Sequence, residues 1–291
     1  MKTYKEVIKE YSKELKSVTH IPQKEVEILL LYLLDKNTIW LHLNYDKPCE
    51  VESELKKLVA KRKTDYPLEY IIKKVSFYGE MFYAHEGVLI PRPETEILVE
   101  KAEAILKKIA TPKVVEIGVG SGIISVMLAL LTDDIEIIAV DINEKALELA
   151  KKNAIKHKVE NKIQFIKSDL FSNVPEDNYD MVISNPPYIA DNYKLPNNVQ
   201  YEPSNALVGG EVGDELLKNI IDTTKTLDIP YLLCEMGYDQ KKPLTEYINK
   251  KHKYKTLELY QDLTGFDRGF TLKFYNYYRG SLKIILNFAP L

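Results

Sequence analysis

Asn185, Pro186, Pro187 and Tyr188 stand in a row in ISNPPYI, directly after the apolar run YDMVIS. Proline carries no N–H, so this exit from a strand offers carbonyls without the usual backbone donors. A residue before proline is held extended, which stiffens both Asn185 and Pro186. What remains to do chemistry is a pair of acceptors, the Asn185 side-chain oxygen and the Pro186 carbonyl, with the Tyr188 ring beside them. Two acceptors match the two N–H donors of a planar –NH2 group. An amide nitrogen is a poor nucleophile because its lone pair is delocalised, and it gains positive charge as it attacks. Acceptors aimed at its hydrogens stabilise that charge. Positioning supplies roughly 7–11 kcal/mol, and a facing or stacked aromatic ring about 0.5–2 kcal/mol. A hydroxyl substrate would leave an acceptor unpaired at a cost of about 1–3 kcal/mol. The segment reads as a site for a planar amine; the plainer reading is a proline-rich strand exit.

A second constellation lies upstream. VVEIGVGSG places Gly118, Gly120 and Gly122, with Val119 and Ser121 between them, where a strand turns into a helix. Glycine there allows a tight turn and lets a ligand approach the backbone beside the positive end of the helix. Asp141 closes the next strand, AVD, about 20 residues on, where a carboxylate accepts hydrogen bonds from ribose hydroxyls. On the plainer reading it caps the helix beginning near Glu144. A pyrophosphate favours G-x-G-x-x-G. Here the spacing is G-x-G-x-G after Glu116, which suits S-adenosylmethionine, a ligand with an amino acid group and no pyrophosphate. In SDLF, Asp169 offers a polar partner and Leu170 an apolar wall for an adenine.

The elements that must position these groups follow from hydrophobic spacing. Tyr4, Val7, Ile8, Tyr11, Leu15 and Val18 share one helical face. Pro22 fits the first turn of a second helix, whose core EVEILLLYLLD is apolar nearly all round and belongs at the centre of a small bundle. NTIWLHLN is a short helix with Asn37 as its N-cap, VESELKKLVAKRKTD is an amphipathic one, and PLEYIIKK adds one or two turns after Pro67. Residues 1–73 are therefore predicted as an all-helical domain, expected to recognise the substrate. VSFYGEMFYAHEGVLI, broken by Gly79 and Gly87, predicts a β-hairpin linker within 74–92. From 93 to 291 strands and helices alternate, which predicts an α/β domain with a parallel sheet covered on both faces. Its strands are KVVEIG, IEIIAVD, IQFIK, YDMVIS and PYLLCEM, closed by the pair TLELYQDL and GFTLKFY. NYYRGSLKIILNFAPL, residues 276–291, has no place in this scheme.

Composition excludes several classes. The 291 residues are 45% hydrophobic and 29% charged with a net charge of −3, ordinary for a globular protein and unlike one built to ride a phosphate backbone. Cys49 and Cys234 stand far apart, and the five histidines show no ligand spacing, so neither a disulfide framework nor a metal site is expected. The charged start MKTYKEVIKEYSKELKSV is not a signal peptide, and the apolar run ILLLYLL is too short to span a bilayer. No membrane attachment and a cytoplasmic location are the expectation.

Together, GVGSG, AVDINEKALELAKKNA, SDLF and ISNPPYI resemble the Rossmann-like class I S-adenosylmethionine-dependent methyltransferases that act on planar amino groups. VLIPRPETEILVE, with PLEYII, EPSNALVGG, EMGYDQ and DLTGFDR, narrows the resemblance to the peptide chain release factor glutamine methyltransferases. That resemblance implies methylation of the glutamine in the Gly-Gly-Gln loop of class 1 release factors. It implies cofactor contacts from Gly118, Val119, Gly120, Ser121, Gly122, Asp141, Leu170 and Asn185. Arg92, Pro93, Glu94 and Thr95 would line the cofactor's amino acid end, where the plainer reading is a helix start with acids in its first turn. The substrate amide would lie against Asn185, Pro186, Pro187 and Tyr188. Two positions depart from the family pattern: Lys73 stands where a glycine usually follows PLEYII, and Leu170 where a larger aromatic usually borders the adenine.

Three other readings share parts of this pattern. Adenine also offers a planar –NH2, so a nucleic-acid adenine methyltransferase fits NPPY, but it would need a base-flipping, basic face. The lysine clusters KKLVAKRK and NKKHKYK lie on helices and read as solvated faces. A methyltransferase for a ribosomal protein glutamine shares every motif. A non-catalytic cofactor-binding adaptor is disfavoured by the intact run from Asn185 to Tyr188.

Overall fold

The computed structural model describes residues 1–275, so the 276–291 segment lies outside the described residues. The chain forms two compact units. One comprises Met1–Lys74, Ala84–Glu86 and Leu195–Tyr201; the other comprises Val75–Tyr83, Gly87–Lys194 and the chain from Glu202 onward.

The smaller unit is helical: α1 (Tyr4–Glu14), α2 (Pro22–Leu34), α3 (Thr38–Leu43), α4 (Glu52–Arg62) and α5 (Leu68–Ile72). Thr3 and Glu6 form a reciprocal capping box at α1. Pro22 occupies the first turn of α2, and the Asn37 side chain caps α3 by accepting from Trp40 N at 2.9 Å, both as the sequence predicts. Val18 lies beyond the end of α1, which closes at Leu15. The central helix α2 touches each of the other four. It is not wholly apolar inside: Glu25 is buried and holds the buried Arg62 guanidinium at 2.7 and 3.2 Å.

Lys73 ends α5 in the left-handed region, at φ 57°. This backbone position explains why glycine suits it and why lysine is strained. The next turn is also left-handed: β1 (Lys74–Phe77) and β2 (Glu80–Tyr83) are joined through Tyr78 at φ 53° and Gly79 at φ 78°, the positive pair that a tight two-residue hairpin turn demands. The hairpin ends at Tyr83, short of Gly87. Phe77 and Phe82 are buried in the core of the larger unit, so the hairpin packs as well as connects.

The larger unit continues with α6 (Thr95–Leu106), β3 (Lys113–Ile117), α7 (Ile123–Leu131), β4 (Glu136–Asp141), α8 (Glu144–Lys156), β5 (Ile163–Lys167), β6 (Met181–Ser184), β7 (Ile189–Ala190), β8 (Val208–Gly210), α9 (Glu215–Thr226), β9 (Tyr231–Glu235), α10 (Lys241–Lys251), β10 (Tyr254–Gln261) and β11 (Asp267–Phe274). Among the described residues the main sheet runs β10-β11-β9-β6-β3-β4-β5. β3, β4, β5, β6 and β9 are parallel, and β10 and β11 close the sheet antiparallel. Along β3, Val114 and Val115 point into different cores. One is formed with α6, α7 and α8, the other with α9 and α10, so helices cover both faces as the alternation predicts. The chain turns back after β5 to lay β6 on the other side of β3. The crevice at the carboxyl ends of β3, β4 and β6 is therefore a topological switch point, where open α/β sheets bind ligands. The short pair β7–β8 has no counterpart in the sequence reading.

The strain at Lys73 gives a direct test. An L residue in this region costs about 1–2 kcal/mol, while glycine gives back roughly 0.5–1 kcal/mol in backbone entropy. Lys73→Gly is expected to raise stability by about 0.5–1 kcal/mol, measured by urea unfolding.

Candidate active site

The glycine loop is built by β3 and β4. Gly118 and Val119 both donate their N–H to the Val140 carbonyl at 2.9 Å, which folds the chain tightly over the end of β4. Gly118, Gly120 and Gly122 sit at φ 75°, 53° and 83°. They are glycine for two different reasons. A Cβ on Gly118 or Gly120 would meet nothing within 4 Å, whereas one on Gly122 would strike Ala150 at 2.8 Å. The first two thus leave open space at the crevice, and the third lets α7 and α8 pack closely.

Asp141 is fixed at the end of β4. Its Oδ2 accepts from Gly120 N and its Oδ1 from Asn143 N, each at 2.9 Å. Burial raises its carboxyl above the usual range, and the backbone donors of Asn143, Gly120 and Ile142 oppose the rise. The N-cap of α8 is Asn143, whose side chain accepts from Lys145 N, so the capping role falls to the neighbour. On the same helix, the buried Asn153 accepts from Tyr83 N at 2.7 Å and donates to the Tyr83 and Ser121 carbonyls at 3.2 and 2.8 Å. One amide ties the hairpin to the glycine loop.

A cavity of about 300 Å³ opens at the switch point. Gly118, Gly120, Asp141, Asp169, Leu170, Asn185, Pro186 and Pro187 line it, together with Val88, Leu89, Asn143, Ser168 and the 203–206 turn. A smaller hollow of about 40 Å³ shares Leu89, Gly118, Gly120 and Asn185 with it and adds Arg92, Thr95, Glu116, Val119 and Ser121. Arg92 is ion-paired with the buried Glu202 at 2.5 Å, and Glu202 also accepts from Ile90 N at 2.9 Å. This pairing pins the segment before α6 against the cavity wall.

Glu116, which marks the start of the glycine motif, was given no role of its own by the motif reading. It is 1% exposed, its Oε2 accepts from Ser125 N and the Ser125 hydroxyl, and its Oε1 has no partner. Burial pushes its carboxyl up to about 8, against the hydrogen bonds from Ser125. A carboxylate residue inside the apolar run VVEI was the signal available in the sequence. An orphaned buried acceptor beside a loop with room for a ligand suits a cationic ammonium. An adenine and ribose suit the larger cavity, with its apolar walls and held Asp141. The residues therefore fit S-adenosylmethionine.

The NPPY run follows β6, with all peptide bonds trans. Asn185 donates Nδ2 to the Thr95 hydroxyl at 3.1 Å, which leaves Oδ1 as the edge able to accept. Tyr188 lies on the far side of the turn. It lines a separate hollow of about 220 Å³ with Tyr193, Val212, Tyr238 and Arg268, and burial pushes its phenol up to about 12. Gln240 Nε2 donates to the Tyr188 carbonyl at 2.9 Å.

The comparisons agree with this geometry. Residues 93–201 match the family described as Methyltransferase small domain, and residues 6–72 match the PrmC N-terminal domain. The chain is 37% identical over 242 residues to the release factor glutamine methyltransferase of Fusobacterium nucleatum, covering 81% of this chain and 68% of that protein. It is 34% identical over 260 residues to that of Aquifex aeolicus, covering 87% and 92%. This chain belongs to the release factor glutamine methyltransferase family. Among solved structures, the hMettl16 catalytic domain in complex with MAT2A 3′UTR hairpin 6 covers 65% of this chain and 73% of its own at 20% identity and TM-score 0.55, which shows the shared fold. Among the described residues no helix is long and apolar enough to cross a membrane.

With the family known, the predicted residues can be placed. Gly118, Gly120, Asp141, Leu170, Asn185, Pro186 and Pro187 meet at the larger cavity, and Arg92, Val119, Ser121 and Thr95 at the smaller. Gly122, Pro93 and Glu94 line neither. Gly122 packs on Ala150, and Glu94 is the residue that opens α6. Leu170, where this methyltransferase family usually has an aromatic, is held at φ 46°. Of the wall residues, Val88, Leu89 and the 203–206 turn lie in the family strings VLIPRPETE and EPSNALVGG without a chemistry of their own to mark them.

Glu116 predicts a pH dependence in the ligand-free protein. Its folded carboxyl holds a proton up to about 8, against 4.5 ordinarily, so the folded state binds more protons than the unfolded chain between those values. The Glu116 contribution is present below 4.5 and is lost as pH rises through 8. Glu116→Gln is expected to flatten this fall, measured by denaturant unfolding across about pH 5–9.

Proposed function

We propose that this chain transfers one methyl group from S-adenosylmethionine to the side-chain amide nitrogen of the glutamine in the Gly-Gly-Gln motif of class 1 peptide chain release factors. The observation that carries this reading is the committed Asn185 amide. Its nitrogen is bonded to Thr95 at 3.1 Å, so it meets a substrate with its oxygen, beside the Pro186 carbonyl and without a competing backbone donor. Family membership supplies the substrate class.

S-adenosylmethionine supplies an electrophilic methyl on a sulfonium. The chain's own residues bind, orient and exclude water. Asp141 would hold the ribose hydroxyls, Leu170 one face of the adenine, and Glu116 with Arg92 and Thr95 the amino acid end. Asn185 Oδ1 and the Pro186 carbonyl accept the two amide hydrogens and hold the nitrogen with one face open. As the C–N bond forms and the C–S bond breaks, positive charge grows on that nitrogen. The two acceptors then bind it more strongly than in the ground state, which is the condition for acceleration. The methylated nitrogen sheds one proton to water, since an N-protonated amide is a strong acid. The substrate has to bring a folded loop to this edge of the sheet, and the hollow under Tyr188 lies on the same turn.

Incubation with labelled S-adenosylmethionine and a purified release factor, followed by mass mapping, tests the reading. A mass gain on the Gly-Gly-Gln peptide is expected. Its absence overturns the substrate, and label on DNA or RNA would point to adenine instead. Asn185→Ala is expected to lower kcat on the order of 10²–10³-fold or more, while cofactor affinity, measured by calorimetry, weakens only modestly. Unchanged turnover would remove Asn185 from the mechanism.

A further inference from the structure

The hollow of about 220 Å³ beyond the NPPY turn shares no lining residue with the 300 Å³ cavity at the switch point, and methyl transfer as described leaves it unused. Tyr193, Val212 and Tyr238 on its walls are 54%, 66% and 55% exposed, and Phe266, 52% exposed, stands edge-on to Tyr238 with ring centroids 5.9 Å apart. Single exposed apolar residues are ordinary; several gathered around one hollow mark a contact surface. The walls are tied to the NPPY turn. Gln240 donates Nε2 to the Tyr188 carbonyl at 2.9 Å and accepts from Gly237 N at 2.8 Å, which fixes the backbone just before Tyr238. A Cβ on Gly213 would strike the Tyr188 carbonyl at 2.6 Å, so glycine there lets the segment carrying Val212 close against the same turn.

Arg268 supplies the donors. Its Nε donates to Asp262 Oδ2 at 2.7 Å, the one hydrogen bond of its guanidinium among the described residues, and a guanidinium carries five N–H donors. Asp262 balances its charge, Lys241 is taken up by Asp267 at 3.0 Å, and Asp239 also lines the hollow. The hollow thus offers donors without surplus positive charge. A phosphate backbone calls for that surplus, whereas the carbonyls of a peptide call only for donors. Chain reach then fixes which part of a peptide. Tyr188 is three residues after Asn185, at most about 10–11 Å along the chain. A glutamine whose amide lies against Asn185 therefore brings residues within about four positions of it over the hollow. The amide itself is the same in every glutamine, so selection of one loop falls to the groups beside it.

We propose that this hollow is the subsite for the substrate chain beside the reacting glutamine: Tyr193, Val212 and Tyr238 receive an uncharged residue close to it in sequence, and Arg268 donates to the main-chain carbonyls there. This rests on the function proposed above and adds the place where the loop is selected.

The full-length enzyme with a purified release factor provides the test. With Tyr238 replaced by the photo-crosslinker p-benzoylphenylalanine, irradiation is expected to join the enzyme to the Gly-Gly-Gln peptide, identified by mass mapping. No cross-link, or one confined to another part of the release factor, overturns the proposal. Val212→Asp, a change at an exposed side chain, and Arg268→Gln are each expected to raise KM for the release factor on the order of tenfold, with a smaller change in kcat and unaltered cofactor affinity by calorimetry. Wild-type KM in Val212→Asp overturns the proposal. Arg268→Gln also loses its bond to Asp262, so its thermal unfolding is followed alongside; if it fails to fold, Val212→Asp and the cross-link decide. A wild-type enzyme that methylates no release factor overturns the function proposed above, whereas an active wild type with a silent Val212→Asp or a misplaced cross-link overturns only the subsite.

Discussion

Two acids taken largely out of water at neighbouring strand ends govern the architecture of this site. Glu116 on β3 and Asp141 on β4 both sit at the carboxyl edge of the sheet. A desolvated carboxyl group needs donors within reach, and each finds a different set. Ser125 answers Glu116, and the backbone of Gly120 and Asn143 answers Asp141. Each donor belongs to a segment that shapes the crevice: the start of α7, the glycine loop and the turn into α8. The acids thereby fix the positions of the loops that line the crevice. The oxygen left over, Oε1 of Glu116, keeps a deficit that a cation or a proton can fill.

The parallel register converts this edge into a single surface. β3 lies between β4 and β6, with Ile117 opposite Val140 on one side and Ser184 on the other. Gly118 and Asn185 therefore leave the sheet side by side, although 66 residues lie between them along the chain. The Asp141 and Asn185 sides of the crevice need no hinge between them, because one hydrogen-bonded ladder sets their distance.

Much of this was legible in the sequence because it depended on local chemistry. Strand and helix alternation, Pro22, the Asn37 cap and the glycine loop all rest on residue type and spacing, and the NPPY run announced its acceptors through missing N–H groups. What was not legible depends on distant partners. Thr95 reads as a residue lining the cofactor's amino acid end or opening a helix, and its bond to Asn185 shows only once β6 brings that side chain to it. Asn153 stands in AVDINEKALELAKKNA with nothing in its residue type to mark it, although it is buried and holds two segments together. The two- and three-residue strands β7 and β8 carry too few positions for any period to show, and the helical unit recruits Leu195–Tyr201 from far along the chain.

The stiffness of the NPPY turn also reaches into the history such a sequence can have. The Pro187 carbonyl lies where a Cβ on Gly209 would fall, at 2.4 Å, and the Tyr188 carbonyl is 2.6 Å from where one on Gly213 would be. The NPPY turn and the 209–213 segment are therefore one unit of inheritance. A side chain gained at either glycine displaces the Pro187 or Tyr188 carbonyl, and a turn with another backbone path has no use for those glycines. Variation at one segment is closed off by backbone atoms of the other.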